Sequence, residues 1–281
     1  MSEREPLAKL ILGMSPSVRE KWFTEHLSRE ESYPWPPRSI LPERRKPKGF
    51  ICVEIMGLPE SGKTSGYQHL LERLPESFSE IVGVPEFGGD EERVNAIKSL
   101  QDELARNALL DELKLASLFQ KGLTRITDLL LEDVSQQRQP GSKILVCERS
   151  PNDVVALFNW ICTYLEAREE LPELRKDILR SFLEGLAHAE MLVDAVVLYG
   201  VSLETAKQRR RERGLPPEGK VTNELVWPKV ESSYSWWLGS IYPLLRERSG
   251  IGLLVIDGEG NKEENNLTLL DYVKEAGQLT F

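Results

Sequence analysis

From residue 50 onward, short and nearly unbroken apolar runs recur along the chain. They are FICVEIM at 50–56, the run at 81–84, KILVC at 143–147, AVVLYG at 195–200 and GLLVI at 252–256. Runs this short, rich in Val and Ile and flanked by Gly, Asp or charged residues, read as strands. Between them lie stretches with helical periodicity at 63–75, 91–136, 152–189, 202–213, 223–248 and 262–276; the second and third are each long enough for two helices. Strands that are apolar at successive positions must be buried on both faces, which is the mark of a parallel sheet covered by helices on either side. The pattern therefore predicts an α/β fold, a three-layer α/β/α arrangement around a five-stranded parallel sheet.

The first 48 residues follow a different pattern. Residues 17–32 read as a polar amphipathic helix with Trp22, Phe23 and Leu27 as its apolar members. The stretch YPWPPRSILPERRKPKG that follows holds five of the chain's 17 prolines by position 47. Such a density rules out a helix and favours an extended strap. The expected organisation is an N-terminal helix and Pro-rich strap over 1–48, then one domain over 49–281. Tyr33, Trp35 and Ile40 are the strap residues suited to lying on that domain.

Composition narrows the classes of function. The chain has 281 residues, 40% of them hydrophobic, and a formal net charge of −9. It is too apolar for disorder and long enough to bury a full core. It has no apolar run near the roughly 18 residues of a membrane helix. The charge divides as +3 for residues 1–48 and −12 for the rest. An acidic domain disfavours both nucleic acid and an anionic membrane as partner. A basic strap is expected to lie across it. Cys52, Cys147 and Cys162 are scattered in apolar settings and suggest buried thiols of a cytoplasmic protein, not disulfides or a zinc site.

One motif carries chemistry. The first strand runs straight into Gly57-Leu58-Pro59-Glu60-Ser61-Gly62-Lys63-Thr64, with Ser65 next and a helical pattern after it. This is the phosphate-cradling pattern G-x-x-x-x-G-K-[ST] between a strand and a helix, the context it requires. Gly57 and Gly62 permit backbone angles and close approach that a Cβ would block. Amides of the loop and of the helix start then face one anionic site. Lys63 supplies a point charge for the β- and γ-phosphates and the Thr64 hydroxyl a ligand for Mg²⁺. The fold class thus becomes that of a P-loop NTPase, with residues 57–65 as the nucleotide-binding segment.

Three further places bear on the use of the nucleotide. The second strand leads into Pro85-Glu86-Phe87, the third ends in Glu148-Arg149-Ser150, and the helix after the fourth ends in Arg209-Arg210-Arg211-Glu212-Arg213. Carboxyl ends of parallel strands line the ligand crevice, so Glu86 and Glu148 are placed to divide proton transfer and metal binding between them. The arginine cluster near 207–222 reads as a lid that clamps a transferring phosphoryl group.

With these motifs the chain resembles the deoxynucleoside kinase and thymidylate kinase group of P-loop phosphotransferases, in element order over roughly residues 50–275. The resemblance rests on GLPESGKT, VPEF, ERSPND and the stretch VVLYGVSLETAKQRRRERG. It implies that Glu86 is general base on an acceptor hydroxyl, that Glu148 helps hold Mg²⁺, and that Arg149 contacts phosphate. It also implies that Gln120, in Leu118-Phe119-Gln120, reads a nucleobase and that Arg209 and Arg213 act from the lid. The expected cofactors are ATP and Mg²⁺, and the expected partner is a small-molecule phosphate acceptor, with a homodimer as the candidate assembly. Two alternatives stay open: a nucleotide-dependent switch, and a kinase for a polynucleotide 5′ end or a non-nucleotide metabolite. The guanine signature Asn/Thr-Lys-x-Asp is absent, which disfavours a GTPase. Trp227, Tyr234, Trp236, Trp237 and Tyr242 read as packing against the sheet or strap, or as a wall of an acceptor pocket. Asp257 reads as a turn residue.

Overall fold

The computed structural model describes residues 13–15, 17–18, 37–43, 50–74, 78, 80–84, 143–148, 152–153, 155–156, 183, 185–187, 189–219 and 222–280. The helix expected over 17–32, apart from residues 17 and 18, and the helices over 91–136 lie outside them. So do most of 152–189.

The strands are β1 (Arg38–Ile40), β2 (Phe50–Gly57), β3 (Glu80–Val84), β4 (Lys143–Glu148), β5 (Ala195–Gly200) and β6 (Gly252–Asp257). The helices are α1 (Lys63–Arg73), α2 (Leu203–Glu212), α3 (Trp227–Trp236), α4 (Tyr242–Ser249) and α5 (Lys262–Thr280). All five apolar runs are strands, and they pair in parallel in the order β6-β5-β2-β4-β3. The expectation of a five-stranded, wholly parallel sheet is nevertheless corrected. A sixth strand, β1, joins the edge antiparallel to β6, with Arg38 opposite Val255 and Ile40 opposite Leu253. Its three residues lie in a proline-free gap of the strap, and only such a gap offers consecutive amides to an open edge.

Side chains of successive strand residues point to opposite faces, and both faces are covered. Phe50, Cys52, Met56, Val196, Leu198, Leu253 and Val255 pack with α3, α4 and the segment around Leu186. Ile51, Val53, Ile55, Val197, Leu254 and Ile256 pack with Tyr67 and Leu70 of α1 and Leu269 and Val273 of α5. These are the three layers foreseen. The five aromatics of 227–242 are all buried in the first of these clusters, so packing against the sheet is their observed role.

The run expected as one helix over 223–248 is interrupted by a π-helical turn, Trp237–Ile241, before α4. Pro243 is the cause. In an unbroken α-helix it would withhold its N–H from residue 239 and press its ring on that carbonyl. One wider turn, in which the Tyr242 amide donates to Trp237 O, relieves the conflict. The helix then stops at Gly250, which is left-handed at φ 66°.

The strap is held mainly by backbone groups. Glu43 N donates to Gly250 O at 2.9 Å, Tyr272 Oη to Ile40 O at 3.1 Å and Arg246 Nη1 to Leu41 O at 2.7 Å. The Arg38 guanidinium lies 5.7 Å from the Tyr242 ring centroid. An ion pair among the described residues here, Arg246 with Glu43 at 3.1 Å, puts the acid on the strap and the base on the domain. Arg44, Arg45, Lys46 and Lys48, which carry most of the strap's positive charge, lie outside the described residues; among the described ones the docking rests on ladder pairing and backbone acceptors. Arg246→Ala should therefore release the strap: proteolysis between residues 37 and 43 is expected to quicken roughly tenfold, for a loss of about 1.4 kcal/mol of local stability. Unchanged cleavage would show that the ladder alone suffices.

Candidate functional site

β2 is the central strand, and the chain departs from it in both directions, to β4 and β3 on one side and to β5 and β6 on the other. The crevice at the carboxyl end of such a strand is where open α/β sheets bind ligands. The glycine loop occupies that place. Gly57 has φ 136°, and a Cβ there would fall 2.1 Å from Tyr199 O of β5. This glycine is thus demanded by both angle and space. Gly62, at φ 100°, has nothing within 4 Å of a built Cβ, so only its left-handed backbone requires glycine. Leu58 N is fixed to Tyr199 O at 3.1 Å, which ties the loop to β5.

α1 begins at Lys63 with no side-chain cap and no acidic residue in its first turn. Its first amides have no intrahelical acceptors, and with the helix dipole they make a positive corner. Lys63 is buried and donates from Nζ to Leu58 O at 2.7 Å, folding its ammonium over the loop. Ser61 Oγ is buried, lines the cleft and has no hydrogen-bond partner among the described residues. A hydroxyl in that position is suited to donating to an anion.

Thr64 and Glu148, the two residues expected at a metal, are 84 positions apart in sequence. The structure brings them together: Thr64 Oγ1 donates to Glu148 Oε1 at 2.5 Å. The parallel register explains the meeting, since Ile55 of β2 lies beside Glu148 of β4 and α1 returns over that face. Glu148 is buried, and Tyr67 stands near it. Burial, together with the nearby Cys147 and Glu148, pushes the Tyr67 phenol up to about 12, so it stays neutral beside the carboxylate. A hydroxyl and a carboxylate oxygen side by side form a hard-oxygen pair that fits Mg²⁺, which takes few protein ligands and keeps its waters. Among the described residues no group of three or more His, Cys, Asp or Glu is arranged for a metal.

The cleft, about 610 Å³, is lined by residues 59–65, by Arg209, Glu212 and Arg213 of the α2 end, and by Gly258, Lys262 and Asn265. α2 is well specified. Ser202 caps it by accepting from Thr205 N at 3.3 Å, Glu204 sits in its first turn and three arginines in its last. Arg209 Nη1 donates to Glu60 O at 2.8 Å and its other arm to Gly258 O. Arg213 pairs with the Glu60 carboxylate. The expected arginines are therefore at the cleft, although they are engaged by protein groups. Lys207 anchors the far side through Glu224 at 3.1 Å.

Asp257 closes a turn, accepting from Glu259 N at 2.9 Å through Oδ1, as expected of an Asp-Gly pair. The same turn and the start of α5 bring Lys262 and Asn265 to the cleft, which sequence reasoning did not single out. Polar residues directly after the last strand were the available signal. His69 is on α1 away from the cleft lining. Glu86, Gln120 and Arg149 lie outside the described residues, as do His26 and His188.

A second polar group was also missed. Glu54, in the middle of β2, is fully buried and points to the face opposite α1. Asn152 Nδ2 donates to its Oε2 at 2.7 Å and Asp153 N to its Oε1 at 3.1 Å. Tyr234 Oη donates to Asp153 Oδ1 at 2.6 Å, and Trp237 Nε1 to Asn152 Oδ1 at 3.0 Å. Four residues, from the segment 152–153 and from the helical run that holds Tyr234 and Trp237, are thereby pinned to the strand that feeds the glycine loop. The signal was a carboxylate inside an apolar run, FICVEIM. Partners for it lie far away in sequence.

No helix among the described residues is long and apolar enough to cross a membrane. Comparison with solved structures finds a deoxyadenosine kinase from M. mycoides, in a structure with dCMP and a flexible dCDP bound. It is 14% identical, with a TM-score of 0.48, over 80% of this chain and 100% of that one. No family model and no curated protein matches the chain.

Proposed function

We propose that the protein is an ATP-dependent, Mg²⁺-requiring phosphotransferase acting on a nucleoside, a nucleotide or a similar small hydroxylated acceptor. The observation that carries this reading is the convergence, at the end of the central strand, of the glycine loop, Lys63 and the Thr64–Glu148 pair. A triphosphate laid along residues 57–65 would meet the loop amides, the Ser61 hydroxyl and the Lys63 ammonium. Thr64 and Glu148 would hold magnesium, which would supply charge neutralisation to the triphosphate.

In the proposed step an acceptor hydroxyl attacks the γ-phosphorus. The bond to the β–γ bridging oxygen breaks, ADP leaves with the electron pair, and Glu86 takes the hydroxyl proton. Arg149, with Arg209 and Arg213 from α2, offsets charge on the transferring group. Gln120 reads the base of a nucleoside acceptor. The roles of Glu86, Arg149 and Gln120 come from the motif resemblance.

The decisive experiment measures ADP release over a panel of nucleosides, nucleoside monophosphates, sugars and short oligonucleotides. Release that depends on one small acceptor is the expected result; steady acceptor-independent hydrolysis would sink the proposal in favour of a switch. In the same assay Glu148→Gln should raise the Mg²⁺ needed for half-maximal rate roughly tenfold, as loss of one ligand charge does at such sites. An unchanged Mg²⁺ dependence would remove Glu148 from the metal.

A further inference from the structure

We infer that Glu60 sets the anion specificity of this cleft: its carboxylate occupies the arginines of α2 and yields them to a polyphosphate but not to a lone phosphate. The inference rests on the nucleotide-binding reading above.

The motif leaves position 60 free, so the loop's own chemistry does not call for an acid there. An acid is in fact adverse, because it repels the phosphates that the loop is built to hold. Its backbone is adverse as well. Glu60 has φ 61° and is the one non-glycine residue among the described residues with positive φ. A left-handed backbone costs a side chain about 1–2 kcal/mol that glycine would not incur. What the position gains is three guanidinium groups. Arg213 pairs with Oε2, Arg210 Nη1 lies 3.4 Å from Oε1, and Arg209 Nη1 donates to the backbone oxygen at 2.8 Å. The Glu60 side chain is only 10% exposed, whereas that of Arg213 is 57% exposed. The carboxylate is thus held in the cleft wall while the arginine that covers it stays in reach of solvent. Arg210 is tied further, from Nε to Pro216 O at 2.9 Å, which links this contact to the chain beyond α2.

Competition follows from charge and reach. A single phosphate in the glycine loop interacts with the amides and Lys63 but offers too few oxygens to replace the Glu60–arginine contacts, and only when Glu60 no longer holds them can the guanidiniums close on it. It also meets the carboxylate's repulsion. A chain of phosphates engages the loop and the arginines at once, and charge-assisted bonds to its oxygens replace those to Glu60. Because Arg213 is largely exposed, the exchange is modest in size, and it acts as a filter rather than a barrier.

The test is calorimetric titration of the full chain with orthophosphate, inorganic tripolyphosphate and ATP at fixed ionic strength. The proteins are wild type, Glu60→Gln and Glu60→Gly. Gln removes the charge and keeps the shape; Gly also removes the backbone strain, so at least one variant is expected to fold as well as wild type. Both variants should bind orthophosphate roughly tenfold tighter and ATP only about threefold tighter, so that the preference for the polyphosphate narrows. Without ligand, trypsin should cut after Arg211 and Arg213 faster in both. Tightening in Glu60→Gly alone would assign the effect to strain and overturn the inference, as would an unaltered preference in both variants. If wild type binds ATP and the preference is unaltered, only this inference falls. If wild type binds none of the three anions, the nucleotide reading falls and takes the inference with it.

Discussion

Replacing Lys63 by alanine should abolish phosphoryl transfer and weaken ATP binding by two orders of magnitude or more, about 3 kcal/mol, the scale on which removal of a preorganised charge acts in a secluded site. Lys63 is placed for this by its neighbours. It begins α1, it is buried, and its ammonium is bent back to Leu58 O at 2.7 Å, over the same loop that would hold the phosphates. The alanine variant leaves that carbonyl with the longer bond from Ser61 N at 3.4 Å in place of two donors, a cost to folding of about 1 kcal/mol. A melting curve therefore accompanies the binding measurement, and the loss of affinity should exceed anything the small fall in stability explains. Glu86→Gln supplies the contrast. If Glu86 is the general base, its amide variant should lose transfer while binding ATP nearly as wild type does. Near-normal turnover of the true acceptor by Glu86→Gln would remove the base assignment. Normal ATP affinity in Lys63→Ala would remove the phosphate site itself.

The second large effect is expected outside the cleft lining. Glu54→Ala should destabilise the fold by about 3–5 kcal/mol, because it strips the acceptors from two buried donors, Asn152 Nδ2 and Asp153 N, and leaves a void in the centre of the sheet. For a chain of this size that corresponds to a fall in Tm of about 10 °C. Such a loss is a large share of the roughly 5–15 kcal/mol that holds most domains together. Glu54→Gln keeps an acceptor for one donor and should cost about half as much. The network reaches the segment four residues beyond Glu148, so partial rescue by Gln should return the Mg²⁺ dependence together with the melting temperature. A change of less than 1 kcal/mol in Glu54→Ala would show that the network is not a unit.

The core of the architecture was legible because its signals are local. Each strand is a short apolar run whose burial on both faces admits few other readings, and the glycine loop is a contiguous motif whose backbone demands are written in its own residues. α2 was legible as the helical run over 202–213 that ends in its arginines; its Ser202 cap is a finding of the structure. The interruption at 237–241 was not foreseen, although Pro243 was in view. A proline shows that a helix must yield, but the packing of Trp236 and Trp237 decides that it yields by widening one turn and continuing.

What the sequence by itself determined is the five parallel strands, the place of the glycine loop and the residue types available for chemistry there. The tertiary structure alone decided the pairings between distant segments. It put Glu148 on the Thr64 hydroxyl, β1 on the edge of β6, Asn152 and Asp153 on Glu54, and the Glu60 carboxylate under the α2 arginines. The physical reason is common to all four. A carboxylate or an unpaired strand edge shows in sequence that a partner is needed, because leaving it unsatisfied is costly. Which partner it finds depends on strand register and helix placement, and those are set by the packing of the whole core.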